Sequence, residues 1–298
     1  MDNAVKEFRE LDRDLLRGAV DMHVHTTPCP FPRPLDDADA AMLAREAGLR
    51  AIVVKDHHQP TTGRVHHARK LASGFDVLGS LVLNTYTGGL NPHAVEVAVR
   101  FYGAKVIWLP TVTAAEHLSR LGQPSFKSYN VKFRPVNGIG ILNNGQLAPE
   151  VKEIIQICRE GDVCLATGHI SAAETRAVIR ECREQEFRKL LVTHPLFDVP
   201  RLTISEQKEF AAHEGVFLEY TYLPMTPTWG HGAKETFEAI REVGVQKCVM
   251  SSDLGNFLNP PAPEGFRCFI RCMLHYGISP EEIGVMIKRN PAQLLNLA

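Results

Sequence analysis

No apolar stretch in this chain of 298 residues reaches the ~20 that a membrane-spanning helix needs, so none is expected. Neither sign of charge is in surplus: 33 Lys and Arg stand against 34 Asp and Glu, a formal net charge of -1. A chain without a basic excess lacks the electrostatic footprint of phosphate-backbone binding, which argues against nucleic acid as a partner. No Gly-x-Gly-x-x-Gly follows the first apolar run, so a dinucleotide-binding open sheet has no fingerprint here. The seven cysteines include no Cys-x-x-Cys, and an odd, scattered set fits reduced thiols better than a disulfide framework. The opening MDNAVKEFRELDRDLL is too charged for a secretory leader, and together with reduced thiols it gives a cytoplasmic expectation. The sequence leaves both a monomer and a homo-oligomer open.

What is present is the material of a packed core, with 44% hydrophobic and 22% charged residues. β-prone runs alternate with helical patterns, as parallel strands with crossover helices do. Strands are expected over Ala19–His25, Ala51–Lys55, Phe75–Leu83, Lys105–Leu109, Val163–Thr167, Leu190–Thr193, Val216–Tyr220 and Cys248–Ser251. Helix-start signals lie between them at Asp36-Asp37, Asn91-Pro92, Pro149-Glu150 and Ser205-Glu206. Eight such units predict an α/β fold, a (β/α)8 TIM barrel forming a single domain over 1–298. A short N-terminal helix within 1–18, apolar at Val5, Phe8 and Leu15, is expected to pack as a lid. Cys268 and Cys272, four apart on a helical pattern, read as core, and the His66-His67 pair as a solvated helix surface.

Two segments break the rhythm. Thr26–Leu35, TTPCPFPRPL, carries four prolines and must be an extended loop. Gly122–Leu147 is a long loop after strand four, with turn signals at Asn137-Gly138 and Asn144-Gly145. Both leave strand C-termini, the face where barrel active sites lie, so 122–147 reads as an active-site insertion.

The chemistry-bearing residues cluster at strand ends: His23 and His25 on strand one, Lys55, His57 and His58 after strand two, His169 and His194 after strands five and six, and Asp253 after strand eight. In a barrel these converge on one mouth. His23 and His25 share parity, so both imidazoles point to one side, here inward. Two neutral imidazoles suit Zn, Mn, Fe or Ni, and His169, His194 and Asp253 add donors for one or two divalent ions, zinc being the first expectation.

DMHVH on strand one, GHIS and THP on strands five and six, SSDLG on strand eight and the closing IKRNPAQLLNL resemble the amidohydrolase superfamily of metal-dependent barrels, near its amidohydrolase-2 branch. The resemblance runs from about Asp21 to the C-terminus. It implies a first-strand ligand pair at His23 and His25, further ligands at His169 and His194, and Asp253 as the carboxylate that orients and deprotonates the hydrolytic water. The fourth strand departs from the binuclear pattern, ending IWLPT with no Lys or Glu to bridge two metals. Lys55 could be a carboxylated bridging lysine, could neutralise an anionic substrate, or could pair with Asp56; Glu219 is another bridge candidate. VVKDHH is similar to the second motif of the polymerase-and-histidinol-phosphatase family, but Leu83-Asn84-Thr85 lacks the acidic residue that family places after strand three.

The expected activity is metal-assisted hydrolysis of a small, anionic amide, lactam, lactone or ester. Asp253 serves as general base then acid, and His194 polarises the scissile group or completes a second metal site. Lys55, His57, His58, Lys127 and Arg134 are the candidate substrate contacts. Lys127, Lys132 and Arg134 alternate with Phe126, Tyr129 and Phe133 in the long loop, a pattern that reads either as a solvated loop or as a lid offering a cation. Non-oxidative decarboxylation on the same mononuclear site and phosphoester hydrolysis are the alternatives. A small-molecule substrate is the only partner expected, with no nucleic acid and no membrane.

Overall fold

Strands covered by helices on one face and by each other on the other need apolar side chains at successive positions, and the apolar runs of this chain do become strands. The computed structural model describes residues 10–126 and 131–297. The first strand is Val20–Val24 and the second Ala51–Val54. The expected third strand is divided at Gly79: Asp76–Leu78 pairs with the second strand, and Ser80–Val82 pairs with the fourth, Val106–Trp108. Cys164–Ala166, Leu190–Val192, Val216–Thr221 and Cys248–Ser251 follow as strands five to eight, each parallel to its neighbour. The eighth returns to the first. Asp253 N–H donates to the His23 carbonyl at 2.9 Å and His25 N–H donates to the Leu254 carbonyl at 2.8 Å. The architecture is the (β/α)8 barrel, with its third strand shared between two neighbours.

Side-chain alternation sorts the barrel interior into layers. Ala51 and Val53 on strand two, Phe217 on strand seven and Val249 on strand eight join Val106, Trp108 and Leu191 in an inner apolar core. The next inward positions on those strands are Lys55, Glu219, Ser251 and Asp253, so one end of the interior is dry and the C-terminal end polar. Strand one departs from simple alternation. Val20 and Met22 belong to the inner core although His23 and His25, of the opposite parity, also face the interior, and the register with strand two shifts between Asp21 and Val24. Such a bulge re-aims side chains beside a site.

The helices pack an outer apolar layer against the strands. Asp36 caps Asp37–Glu46 and Asn91 caps Pro92–Arg100, as their sequence signals predict. The helix expected from Ser205-Glu206 is Ile204–Ala211, capped two residues earlier by a Thr203–Glu206 capping box. Within the N-terminal segment, residues 10–16 are helical, while Val5 and Phe8 lie outside the described residues. This helix is not a lid: Asp12 is fully buried against Arg267 at 3.0 Å and Arg271 at 2.8 Å, on the helix Ala262–Tyr276. Buried carboxylates require such partners, and these fix the segment to the outer layer. Cys268 and Cys272 on that helix are half-buried rather than core, and all seven cysteines are free thiols. In the long loop, Leu142–Asn143 and Gln146–Leu147 form a small hairpin around Asn144-Gly145. No described helix is long and apolar enough to cross a membrane.

Candidate functional site

The strand ends open into a cavity of about 300 Å³, lined by His25, Lys55, His57, His169, His194 and Asp253 among others. His23 is fully buried behind them. Ligand atoms of His23, His25 and Asp253 all lie within 4.8 Å of one another. Asp253 Oδ1 is 2.9 Å from His23 Nε2 and 3.1 Å from His25 Nε2. His169 and His194 form an adjoining pair, Nε2 to Nε2 at 3.1 Å, and the His194 ring stacks over His23 at 6.1 Å.

Two site residues hold unusual backbones: Asp253 has φ +54° and His194 φ +26°, a region that residues with a Cβ seldom adopt. The glycines beside the site permit these turns. Gly168 precedes His169 at φ +62°, and a Cβ there would lie 2.4 Å from the Leu109 carbonyl oxygen. Gly255 has φ +137°, and a Cβ would lie 1.9 Å from the His25 carbonyl oxygen. The loop after strand eight can therefore lie against strand one only because position 255 has no side chain.

Burial disfavours charge on the imidazoles: His25 is driven down to about 3 and His194 to about 4, so both are neutral at physiological pH. Burial also works against ionisation of Asp253, but His23 and His25 hold it well below the usual carboxylate range. His23 differs: burial works against its charge, but the carboxylates of Asp253 and Glu219 raise it overall, so a metal would displace a proton there, while the neutral His25 and ionised Asp253 already hold the states a metal requires. The hydrogen bonding of His23 supports the same fit. Its Nδ1 faces Glu219 Oε2 at 3.3 Å, leaving Nε2 to meet both Asp253 Oδ1 at 2.9 Å and Lys55 Nζ at 2.9 Å. One ring nitrogen cannot give a proton to a carboxylate while taking one from an ammonium. A cation among His23, His25 and Asp253 removes that conflict, with Glu219 orienting the ring from behind, as outer carboxylates do at metal sites.

Lys55 is fully buried, 5.2 Å from the centre of the Trp108 ring, and burial lowers its ammonium to about 8. It does not pair with Asp56, whose Oδ2 accepts from Arg64 at 2.8 Å. His57 lines the cavity with Nδ1 2.9 Å from Thr111 Oγ1. Asn84, after the third strand, is a buried clamp rather than an acidic ligand: its Nδ2 donates to the His57 carbonyl at 3.0 Å and its Oδ1 accepts from Thr111 N–H at 2.8 Å. His58 is not among the cavity-lining residues. Arg134 is exposed and also outside the lining, while Lys127 and the side chain of Lys132 lie outside the described residues.

Among the titratable lining residues, sequence reasoning missed two. His117, on the helix Ala115–Leu121, places Nδ1 2.7 Å from His169 Nδ1, and burial lowers it to about 4. Arg33, in the proline-rich loop, brings a guanidinium to the cavity with a buried Nε that has no hydrogen-bond partner. Both sit on segments leaving strand C-termini, and that topology is the signal that could have found them.

The model of a family of unknown function, DUF6282, matches residues 18–219. No curated protein matches the chain. Among solved structures, an amidohydrolase from Pseudomonas aeruginosa is similar with a TM-score of 0.64 at 14% identity, covering 97% of this chain and 98% of that one. A probable dipeptidase from the same organism reaches 0.61 at 12% identity, over 97% and 98%. A 2,6-dihydroxybenzoate decarboxylase from Rhizobium reaches 0.58 at 11% identity, over 94% and 99%. At these identities the likeness is one of fold, that of the amidohydrolase-type barrels.

Proposed function

From a chain that belongs to this family of unknown function, and from the cavity it builds, we infer a metal-dependent hydrolase acting on a small anionic amide, lactam, lactone or ester. The observation that carries this reading is the buried His23, His25 and Asp253 group with its conflicted His23 Nε2. A divalent ion there, zinc by its nitrogen and oxygen donors, supplies a Lewis acid and makes water acidic enough to react near neutral pH. Asp253, an ionised carboxylate at the cavity wall, would take a proton from the attacking water and return it to the leaving group. His194 and His169 present imidazoles to the substrate's polarised oxygen.

The anionic part of the substrate meets Arg33, whose Nε is free to donate, with Lys55 as the deeper positive group. Phe31, Phe197 and Trp229 form apolar cavity walls that exclude water around it. Replacing Arg33 by Met is expected to raise KM for anionic substrates roughly 10- to 100-fold, the worth of a charged hydrogen bond of about 1.5–3 kcal/mol, with kcat nearly unchanged. Neutral analogues should show no such rise. Equal changes for both kinds of substrate would remove Arg33 from recognition.

The proposal is tested by metal analysis of the protein as purified, followed by chelation and a turnover screen of anionic amides and lactones in ¹⁸O-labelled water. Expected are a tightly held divalent ion, loss of turnover on chelation, recovery on its return and label in the product. Release of carbon dioxide without label would instead make the protein a decarboxylase. Turnover indifferent to chelation would overturn the metal mechanism.

A further inference from the structure

Cys29, Asp56 and His58 lie outside the cavity lining, with His58 against the lining residue Phe31 and one sulfur, oxygen or nitrogen atom of each within 4.8 Å of the others. The His58 side chain is only 7% exposed, and among the described residues its ring nitrogens meet no polar group in ideal hydrogen-bond geometry; their polar neighbours are the Asp56 carboxylate and the Cys29 sulfur. A buried imidazole held between a carboxylate and a thiol, with no better partner, is the arrangement a metal ion completes. Its ring cannot turn away, because it stacks on Phe133 at 4.9 Å, lies 4.8 Å from Tyr86 and meets Phe31 edge-on at 5.0 Å. His58 Nδ1 is 3.4 Å from Asp56 Oδ1. That separation is the edge of a tetrahedron around zinc, roughly 3.4 Å for bonds of about 2.1 Å.

We propose that Cys29, Asp56 and His58 form a second metal site, specific for a thiolate-preferring divalent ion such as zinc, that fastens the Thr26–Leu35 loop to the barrel. The donor set of sulfur, nitrogen and oxygen selects zinc over magnesium or calcium and leaves one coordination position. The surroundings orient two of the three ligands. Asp56 is fully buried, with Oδ2 taken by Arg64 and Oδ1 accepting from His58 N–H at 2.8 Å. Arg64 also donates to the carbonyls of Thr27 at 2.8 Å and Pro28 at 2.9 Å, which fixes the backbone entering Cys29. Binding releases the thiol proton to solvent and forms a metal–sulfur bond with no change of oxidation state. The ion thereby holds the loop that carries Phe31 and Arg33 into the cavity.

The test uses the full chain loaded with cobalt(II) in place of its native ions. His23, His25 and Asp253 include no sulfur, so a thiolate-to-cobalt charge-transfer band in the near ultraviolet can arise only from a cysteine site. The band is expected in the wild-type protein and in Asp253→Asn, and absent in Cys29→Ser. His58→Gln should weaken it and lower zinc stoichiometry by one, with the group at His23 still loaded. This separates failure here from failure of the hydrolase reading, which concerns the other group. A wild-type spectrum without the band, or a band and zinc stoichiometry unchanged in Cys29→Ser, would overturn the second site.

Discussion

Replacing Asp253 by Asn is expected to lower kcat by ~10²–10⁴-fold, the contribution typical of a positioned general base, with the barrel still folded. Asn keeps the shape of the side chain and its unusual backbone position, but its oxygen is a poor proton acceptor and a weak ligand. The charge lost is that of the carboxylate whose Oδ1 both imidazoles face, at 2.9 Å and 3.1 Å. Metal affinity should therefore fall in the same variant, and His23→Ala should reproduce that loss from the other side of the group. Single-turnover kinetics, metal content and circular dichroism together check the prediction. Full turnover with metal retained would dispose of the assigned role.

Gly255→Ala should act through structure rather than chemistry. The new methyl would fall 1.9 Å from the His25 carbonyl oxygen at φ +137°, and both obstacles are backbone, so neither can rotate aside. We expect destabilisation of about 3 kcal/mol or more, at the upper end for single substitutions, read from the urea midpoint. Since the displaced strand carries His25, metal binding should weaken as well. A variant within about 0.5 kcal/mol of wild type would mean that the loop after Asp253 can be re-seated, and that the close approach is not needed.

The strands were legible because each is buried on both faces and so reads as an uninterrupted apolar run, as in Ala51–Val54 or Cys248–Ser251. The division of the third strand at Gly79 was not, since pairing partners are a tertiary property that one strand's composition does not encode. His23, His25, His169, His194 and Asp253 could be gathered from topology alone, because strand ends of a parallel barrel share one face. The shift in strand one that turns the two histidines inward alongside Met22 has no local sequence mark. Of the cations the sequence offers as substrate contacts, Lys55 lines the cavity and Arg134 does not, while Arg33 is a lining cation that the sequence does not mark. The sequence marks that loop as an extended, proline-rich insertion on the active-site face, but prolines define backbone shape and leave the one cation between them without a signal of its own.

The seam that joins the eighth strand to the first also sets an order of events. His25 and Asp253 are 228 residues apart, and contacts of that separation form late in folding because loop closure must precede any reward from them. During synthesis the two histidines leave the ribosome long before their carboxylate partner exists. An incomplete chain therefore carries His23 and His25 without the carboxylate that completes their group, and an ion held by all three could be captured only once the ring is closed. Ion uptake would in this way act as a timer for maturation, marking the moment at which a folded molecule becomes a competent one.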